Sequence, residues 1–330
     1  MRERRYDPTS GEWITFASER QDRTYKPTGD CPLCPARPGG PQTEIPLPAF
    51  EVVTFDNRFP AFSPHPPRPE TTAVDGALYQ VEPAAGRCEV VVYSDDHDAT
   101  FADLPPERIR MLVDVWADRW RELAAEPGVE YVMPFENKGE VVGTTLLHPH
   151  GQIYAFPDIP PRPRRELRAA RRYREATGHC VRCDVIEAEI RDGRRLVAAS
   201  GGWIAWVPFW ARFPYEVHVA PRRHAPSLPD LSAAERDGLA EMLALVTRSY
   251  DKLWGFEMPY VMAIHQQPAT AGPDDQAVSH LRIEFAPPHR SPDKLKHLAG
   301  SELAAGAFVS DAAPEDTAAA LRAARDRLAG

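Results

Sequence analysis

The sequence predicts an α+β fold made of two tandem copies of one unit, and three observations carry that expectation. Two Cys-x-x-Cys pairs, Cys31/Cys34 and Cys180/Cys183, stand near the start of the two halves. Each is followed by strand-like stretches, a long amphipathic segment, a further strand and a closing strand that bears a histidine. The order Cys, Cys, His, His is shared: Cys180 follows Cys31 by 149 residues, and His224, Tyr260 and His280 follow His97, Tyr131 and His148 by 127, 129 and 132. Spacing that stays nearly constant after one loop difference is the mark of an internal duplication. The expected units cover 1–165 and 166–330, each an antiparallel sheet with a long helix.

In the first unit, Glu12–Phe16, Glu51–Phe55, Cys88–Tyr93 and Tyr131–Phe135 are rich in β-branched and aromatic residues and predict strands. Between them, Ile109, Leu112, Val113, Trp116 and Trp120 recur at three-and-four spacing, so Leu104–Ala125 is expected to be an amphipathic helix. In the second unit a proline-rich connection, Pro157–Pro163, leads into an arginine-rich helix over Glu166–Thr177, read as a solvated or interface face. Trp203–Val207 and Tyr215–Ala220 predict strands. Leu239, Met242, Leu243 and Val246 mark a second long helix, and Tyr260–Met262 repeats Tyr131–Met133. Ser279–Phe285 forms the closing strand.

Composition narrows the function. The chain has 330 residues, 43% of them hydrophobic and 26% charged, which suits a soluble protein with a real core. A net charge of -9 argues against a nucleic-acid partner. No apolar run approaches the ~20 residues of a membrane span, and the stretch from Met1 to Tyr6 lacks the apolar core of a signal peptide. A cytoplasmic protein with no membrane association is therefore expected. In a reducing compartment, four of the five cysteines arranged as two Cys-x-x-Cys pairs point to metal ligation rather than disulfides.

Each half can supply a four-ligand set. Cys31, Cys34, His97 and His148 make one, and Cys180, Cys183, His224 and His280 the other. Two thiolates with two imidazoles suit four-coordinate Zn2+ in a closed structural site, so about two zinc ions per chain are expected. His179 is an alternative ligand, but its adjacency to Cys180 makes it awkward for the same tetrahedron.

The stretch His148-Pro149-His150-Gly151-Gln152 holds the candidate chemistry. In an extended backbone residues i, i+2 and i+4 share one face, so His148, His150 and Gln152 would project together. Pro149 cannot donate to a ladder and suits an edge strand or a strand end. A bare His-x-His is equally an ordinary surface or core pair; the duplicated ligand set is what favours chemistry. By the 132-residue spacing His150 corresponds to Arg282 and Gln152 to Glu284. Arginine stays protonated and cannot be a nucleophile near neutral pH, whereas an imidazole can. Only the first half therefore carries a candidate nucleophile, His150, and the second is read as retired to structure.

His148–Gln152, with Phe135-Glu136-Asn137-Lys138-Gly139 upstream, resembles the galactose-1-phosphate uridylyltransferases of the histidine-triad superfamily, and the resemblance extends over nearly the whole chain, including Trp203–Trp210 and Met262–His265. It implies two tandem histidine-triad-like repeats and a ping-pong exchange between UDP-glucose and galactose 1-phosphate in galactose metabolism. His150 would carry the uridylyl group and Gln152 would bind the transferred phosphoryl. The resemblance also places Arg20 and Arg23 near the phosphates and Asn57 and Asn137 at the nucleotide. Lys296 falls in a segment that contacts the hexose across a homodimer interface.

Some members of that family bind a second metal through a glutamate and three histidines. Glu166 and His265 match two of those positions, but Arg282 and Glu284 stand at the others, so no iron-type site is expected. The second Cys₂His₂ set instead resembles the two-zinc members, including plant ADP-glucose phosphorylase-like proteins. Leu146-Leu147 replaces a polar step, and Ser301 and Phe308 stand at or near positions where some members have hexose-contacting residues, which leaves the sugar open. An ADP-glucose phosphorylase or adenylyltransferase with the same histidine, and a zinc-stabilised nucleotide-binding protein without catalysis, are the alternatives.

Overall fold

A computed structural model describes residues 1–22, 31–73 and 75–328. The first half runs through β1 (Arg2–Asp7), β2 (Glu12–Ala17), β3 (Val53–Asp56), β4 (Val81–Pro83), β5 (Arg87–Val92), α1 (Pro106–Ala124), β6 (Tyr131–Lys138) and β7 (His150–Phe156). The second continues with α2 (Pro161–Thr177), α3 (Val181–Asp192), β8 (Leu196–Ser200), β9 (Trp203–Trp206), β10 (Val217–Pro221), α4 (Ala233–Trp254), β11 (Tyr260–His265), α5 (Pro273–Val278) and β12 (Arg282–Ala286). After β13 (His289–Ser291) and β14 (Lys294–Leu295), α6 (Gly300–Ala305) and α7 (Pro314–Asp326) end the chain's described structure. No described helix is long and apolar enough to cross a membrane.

The expected pair of antiparallel sheets is present, but they are joined. One nine-stranded sheet runs β3-β5-β7-β6-β11-β12-β10-β9-β8, and the halves meet where β6 pairs with β11, Phe135 opposite Ala263 and Lys138 opposite Tyr260. Joining removes two open edges whose N–H and C=O groups would otherwise need partners.

Strand pairing also corrects the motif match between the halves. Phe135 lies opposite Gln152 in the first half and Ala263 opposite Glu284 in the second. Tyr260 thus occupies the place of Val132, not of Tyr131: the Tyr-Val-Met match is one residue out of step. Such a slip would turn every side chain to the wrong face, and the alternation of burial along β6 and β11 agrees with the pairing rather than the motif. The correspondences of His150 with Arg282 and Gln152 with Glu284 are kept by the same ladder.

One face of the sheet carries the core. Ile109, Leu112, Val113, Trp116 and Trp120 of α1 are buried there, as their spacing requires, together with Leu239, Met242, Leu243 and Val246 of α4. Ile153 and Ala155 of β7, and Ile283 and Phe285 of β12, point into this core. By the two-residue alternation of a strand, His150, Gln152 and Tyr154, like Arg282 and Glu284, face the other side. Helix α4 begins at a capping box, Ser232 Oγ accepting from Glu235 N and the Glu235 carboxylate from Ser232 N. In the second half the far face is covered by α3, with Ile186 packed on Ile204, Trp206 and Ala220. The pattern of α3 gave little signal, since of its residues only Ile186 and Glu189 are buried.

Candidate active site and metal clusters

The Cys31/Cys34 pair sits in a turn closed by a Cys34 N–H bond to Cys31 O of 3.1 Å. Cys34 Sγ lies 3.5 Å from His97 Nδ1 and 3.7 Å from His148 Nδ1, and the four ligand atoms fall within 4.8 Å of one another. His148 is almost fully buried and its Nε2 donates to Ser94 O at 2.8 Å. That bond leaves Nδ1 as the lone-pair nitrogen facing the sulfurs, which is how ligating histidines are oriented.

The second set is built from different local structure with the same result. Cys180 is the N-cap of α3 and Cys183 lies in its first turn, so a helix start takes the place of the turn that carries Cys31 and Cys34. Cys183 Sγ stands 3.6 Å from His224 Nδ1 and 3.5 Å from His280 Nδ1. Their Nε2 atoms donate to Gln276 O and Pro221 O, each at 2.9 Å. His179 is exposed and turned to Asp184 at 3.4 Å, outside the set. Both Cys/His clusters could hold a metal ion.

His150 opens β7, so Pro149 sits at a strand end inside the sheet and not on an edge. His148 precedes the strand, and the expected shared face of His148, His150 and Gln152 is not formed: His148 turns to the cysteines while His150 and Gln152 face a cavity. His150 Nδ1 donates to the His148 carbonyl at 2.8 Å. This fixes the tautomer and leaves Nε2 with its lone pair. Burial pulls the imidazole's pKa down and the bond to His148 O opposes this only in part, so the ring is neutral at pH 7. Gly151 is required here, because a Cβ would lie 2.1 Å from the Tyr93 hydroxyl and 2.9 Å from Phe135 O.

Two cavities flank His150. One of about 230 Å³ brings together Arg20, Asn57, Asn137, His150, Gln152 and Tyr154. Within it Asn57 Nδ2 donates to Gln152 Oε1 at 3.3 Å, and Arg20 donates to Tyr154 Oη at 3.0 Å and to Phe59 O at 3.3 Å. The other, about 250 Å³, reaches from His150 past Leu147 to Glu136, Lys138 and Glu257. Arg23 lies outside the described residues. Lys296 lines neither cavity; it is buried in the C-terminal segment, its ammonium 3.3 Å from Glu302 and bonded to Val309 O.

Sequence reasoning missed the apolar walls of the first cavity, Leu33, Phe55, Phe59, Val90 and Phe135, together with Tyr154. Their signal was available. Phe55, Val90, Gln152 and Phe135 are successive cross-strand neighbours, so a register drawn outward from Gln152 reaches them.

At the matching place in the second half the side chains form an ionic network. Arg282 donates to Glu166 at 2.9 Å, and Arg162 grips Glu284 with two bonds of 2.7 and 2.6 Å. His218, at the position of Val90, lies 2.9 Å from Glu216 and 3.5 Å from Glu284. Glu216, His218 and Glu284 are close enough to bind a cation, but Arg162 already takes both oxygens of Glu284. Helix α2, expected as a solvated or interface face, contributes Arg162 and Glu166 to this interior.

Comparison with known proteins agrees with this architecture. Residues 1–160 match the family described as galactose-1-phosphate uridyl transferase, N-terminal domain, and residues 166–328 match the corresponding C-terminal domain. The chain is 40% identical over 323 residues to the galactose-1-phosphate uridylyltransferase of Thermotoga maritima, covering 98% of each. It is 34% identical over 334 residues to the Rattus norvegicus enzyme of that name, covering 96% of this chain and 86% of the relative. A solved uridylyltransferase superposes with a TM-score of 0.87 at 37% identity, over 98% of this chain and 99% of that one.

Proposed function

The chain belongs to the galactose-1-phosphate uridylyltransferase family, and on that premise we propose that it moves a uridylyl group between UDP-glucose and galactose 1-phosphate through a covalent bond to His150. The observation that carries the mechanism is the 2.8 Å bond from His150 Nδ1 to His148 O, which leaves a neutral Nε2 lone pair on a cavity wall.

In the first half-reaction His150 Nε2 attacks the α-phosphorus of UDP-glucose. A P–N bond forms, the P–O bond to the leaving group breaks, and glucose 1-phosphate departs with the electron pair. A phosphate oxygen of galactose 1-phosphate then attacks the same phosphorus, giving UDP-galactose and freeing the imidazole. Covalent catalysis divides one displacement into two easier ones. Gln152, its oxygen engaged by Asn57 at 3.3 Å, offers its amide N–H groups to the charge that develops on the phosphoryl oxygens. Arg20 adds positive charge at the same cavity, and Phe55, Phe59 and Val90 form an apolar slot for the pyrimidine, beside Asn57 and Asn137. Arg23 is assigned with Arg20 to the phosphates.

Each Cys₂His₂ cluster fits zinc. Sulfur-to-nitrogen separations of 3.5 to 3.7 Å match the edge of about 3.5 Å that Zn–S and Zn–N bonds make in a tetrahedron. Burial pushes the Cys31 thiol up to about 11, so a divalent cation there is what would hold the sulfurs as thiolates. Zinc on Cys31, Cys34, His97 and His148 would pin the backbone whose carbonyl orients His150. The unit over 1–165 performs the transfer and the unit over 166–330 supports it. A cytoplasmic homodimer, in which Lys296 serves the partner subunit's cavity, completes the proposal.

The test is to offer the purified protein UDP-glucose or ADP-glucose, each labelled in the nucleotide, with galactose 1-phosphate. Label passing from UDP-glucose into UDP-galactose supports the proposal. Label retained only from ADP-glucose, or released only by inorganic phosphate, would assign a phosphorylase or adenylyltransferase instead.

A further inference from the structure

The second half carries a cavity that the transfer reaction does not use. It measures about 80 Å³ and is lined by Glu166, Arg182, His265, Gln266, His280 and Arg282, with α2 as its roof. By the strand register Arg282 stands at the place of His150, and His265, directly opposite Arg282, at the place of Asn137. This cavity is thus the counterpart of the 250 Å³ cavity beside the nucleophile.

Its charges do not cancel. Arg162 is held by Glu284 at 2.6 and 2.7 Å, while Arg282 and Arg182 both lean on Glu166, at 2.8 and 3.2 Å. Three guanidinium groups share two carboxylates. Glu216 does not make up the difference, since it accepts from the N–H groups of Arg212 and Phe213 and faces the Arg212 cation and His218. A surplus buried cation is costly unless it is paired.

The hydrogen bonding is equally one-sided. Arg282 Nε, Gln266 Nε2 and both ring nitrogens of His265 are buried without a hydrogen-bond partner among the described residues, His265 Nε2 standing 3.8 Å from Glu284. Burial keeps His265 neutral, so the set holds an arginine N–H, an amide NH₂ and one imidazole N–H against a single lone pair. Water could satisfy those donors, at about 30 Å³ a molecule, but water leaves the charge uncompensated.

We propose that this cavity binds a small oxyanion of the phosphate class, seated between Arg182, Arg282 and Gln266 in the half that lacks the nucleophile. The strand position that carries the nucleophile in the first half has exchanged transfer for binding: Arg282 supplies a fixed charge where His150 supplies a lone pair. An anion held there would tie α2 and α3 to the sheet. The inference rests on the second half's own residues and not on His150 chemistry.

Crystals of the full-length, metal-loaded protein soaked in sodium selenate provide the test, because selenium's anomalous signal locates the anion. The expected result is a selenate peak within hydrogen-bond reach of Arg182 and Arg282. Gln266→Glu keeps the acceptor that Leu228 N–H uses at 3.1 Å but sets a carboxyl against the anion. It should lose that peak, weaken the phosphate-dependent rise in thermal midpoint at fixed ionic strength by about tenfold or more in half-saturating phosphate, and keep uridylyl exchange. A selenate peak only beside His150, or an unchanged phosphate response in Gln266→Glu, would overturn the proposal.

Discussion

The two halves share a ladder, a Cys/His cluster that could hold a metal ion and a helix on the core face, yet one opens onto two cavities and the other is closed over a smaller one. In the first, His150, Gln152 and Asn137 look into cavities of about 230 and 250 Å³. In the second, Arg282, Glu284 and His265 hold the same strand positions and are closed in by Arg162 and Glu166 of α2. The difference teaches that a change on one strand face goes with a change in what covers it: Arg282 and Glu284 stand where His150 and Gln152 do, and Arg162 and Glu166 of α2 close over them. A neutral imidazole can bond to phosphorus and must reach a cavity; a guanidinium cannot, and once buried it recruits carboxylates.

The sharpest way to break the comparison is to remove the two matching residues in turn. His150→Asn should lower uridylyl exchange by at least about 10⁴-fold with the fold intact. Arg282→Gln should leave exchange within about threefold and cost no more than about 1 kcal/mol of stability, because Glu166 keeps Arg162 and Arg182, each at 3.2 Å, while the network loses a surplus cation. Steady-state exchange assays and denaturant titrations separate the outcomes. Equal loss of turnover in both would mean that the second half takes part in the chemistry.

Metal removal sharpens the same contrast. Cys34→Ser and Cys183→Ser should each lower the zinc content by one equivalent, read by elemental analysis. Only Cys34→Ser should also cost about 10- to 100-fold in exchange, through the loosened His148 carbonyl that orients His150.

A third difference lies beside the strand of His150. Glu136 is buried and bonded by the Tyr260 hydroxyl at 3.4 Å, while its counterpart by register is Ile264. Burial pushes the Glu136 carboxyl up to about 8 against an ordinary 4.5. Between those values the folded chain keeps a proton that the unfolded chain has released, so stability falls as pH rises, by up to about 1.4 kcal/mol per unit. Glu136→Gln should flatten the slope of unfolding free energy between about pH 5 and 8. A slope unchanged by the substitution would place the titrating group elsewhere.

The smallest effect is expected at the apolar slot. Phe55, opposite Val90, corresponds to Trp206, opposite His218. Phe55→Ala should raise the UDP-glucose KM about tenfold with little change in kcat, as loss of about 1.4 kcal/mol of uniform binding does.

Much of this was legible in the chain. The repeated order of Cys and His pairs announced the duplication, and the apolar spacing of α1 and α4 placed the core. Local patterns could not announce that β6 and β11 would join the two sheets, because pairing between strands far apart in sequence leaves no local mark. Periodicity also failed at α3, which presents little apolar surface, and motif matching put Tyr260 against Tyr131 where the ladder puts it against Val132. At the candidate site the polar residues stood out by type, whereas Phe55, Val90 and Phe135 looked like any strand residues until the register aligned them with Gln152. Arg162 was invisible as an interior group because α2 reads as a charged, solvated helix.

The central claim is tested most directly by mixing the protein with UDP-glucose, quenching within one turnover, and mapping the adduct by peptide mass spectrometry. One uridylyl group on the peptide bearing His150, lost when galactose 1-phosphate is added, is the result this account predicts. Full exchange activity with no adduct at His150, or an adduct on another residue, would contradict it.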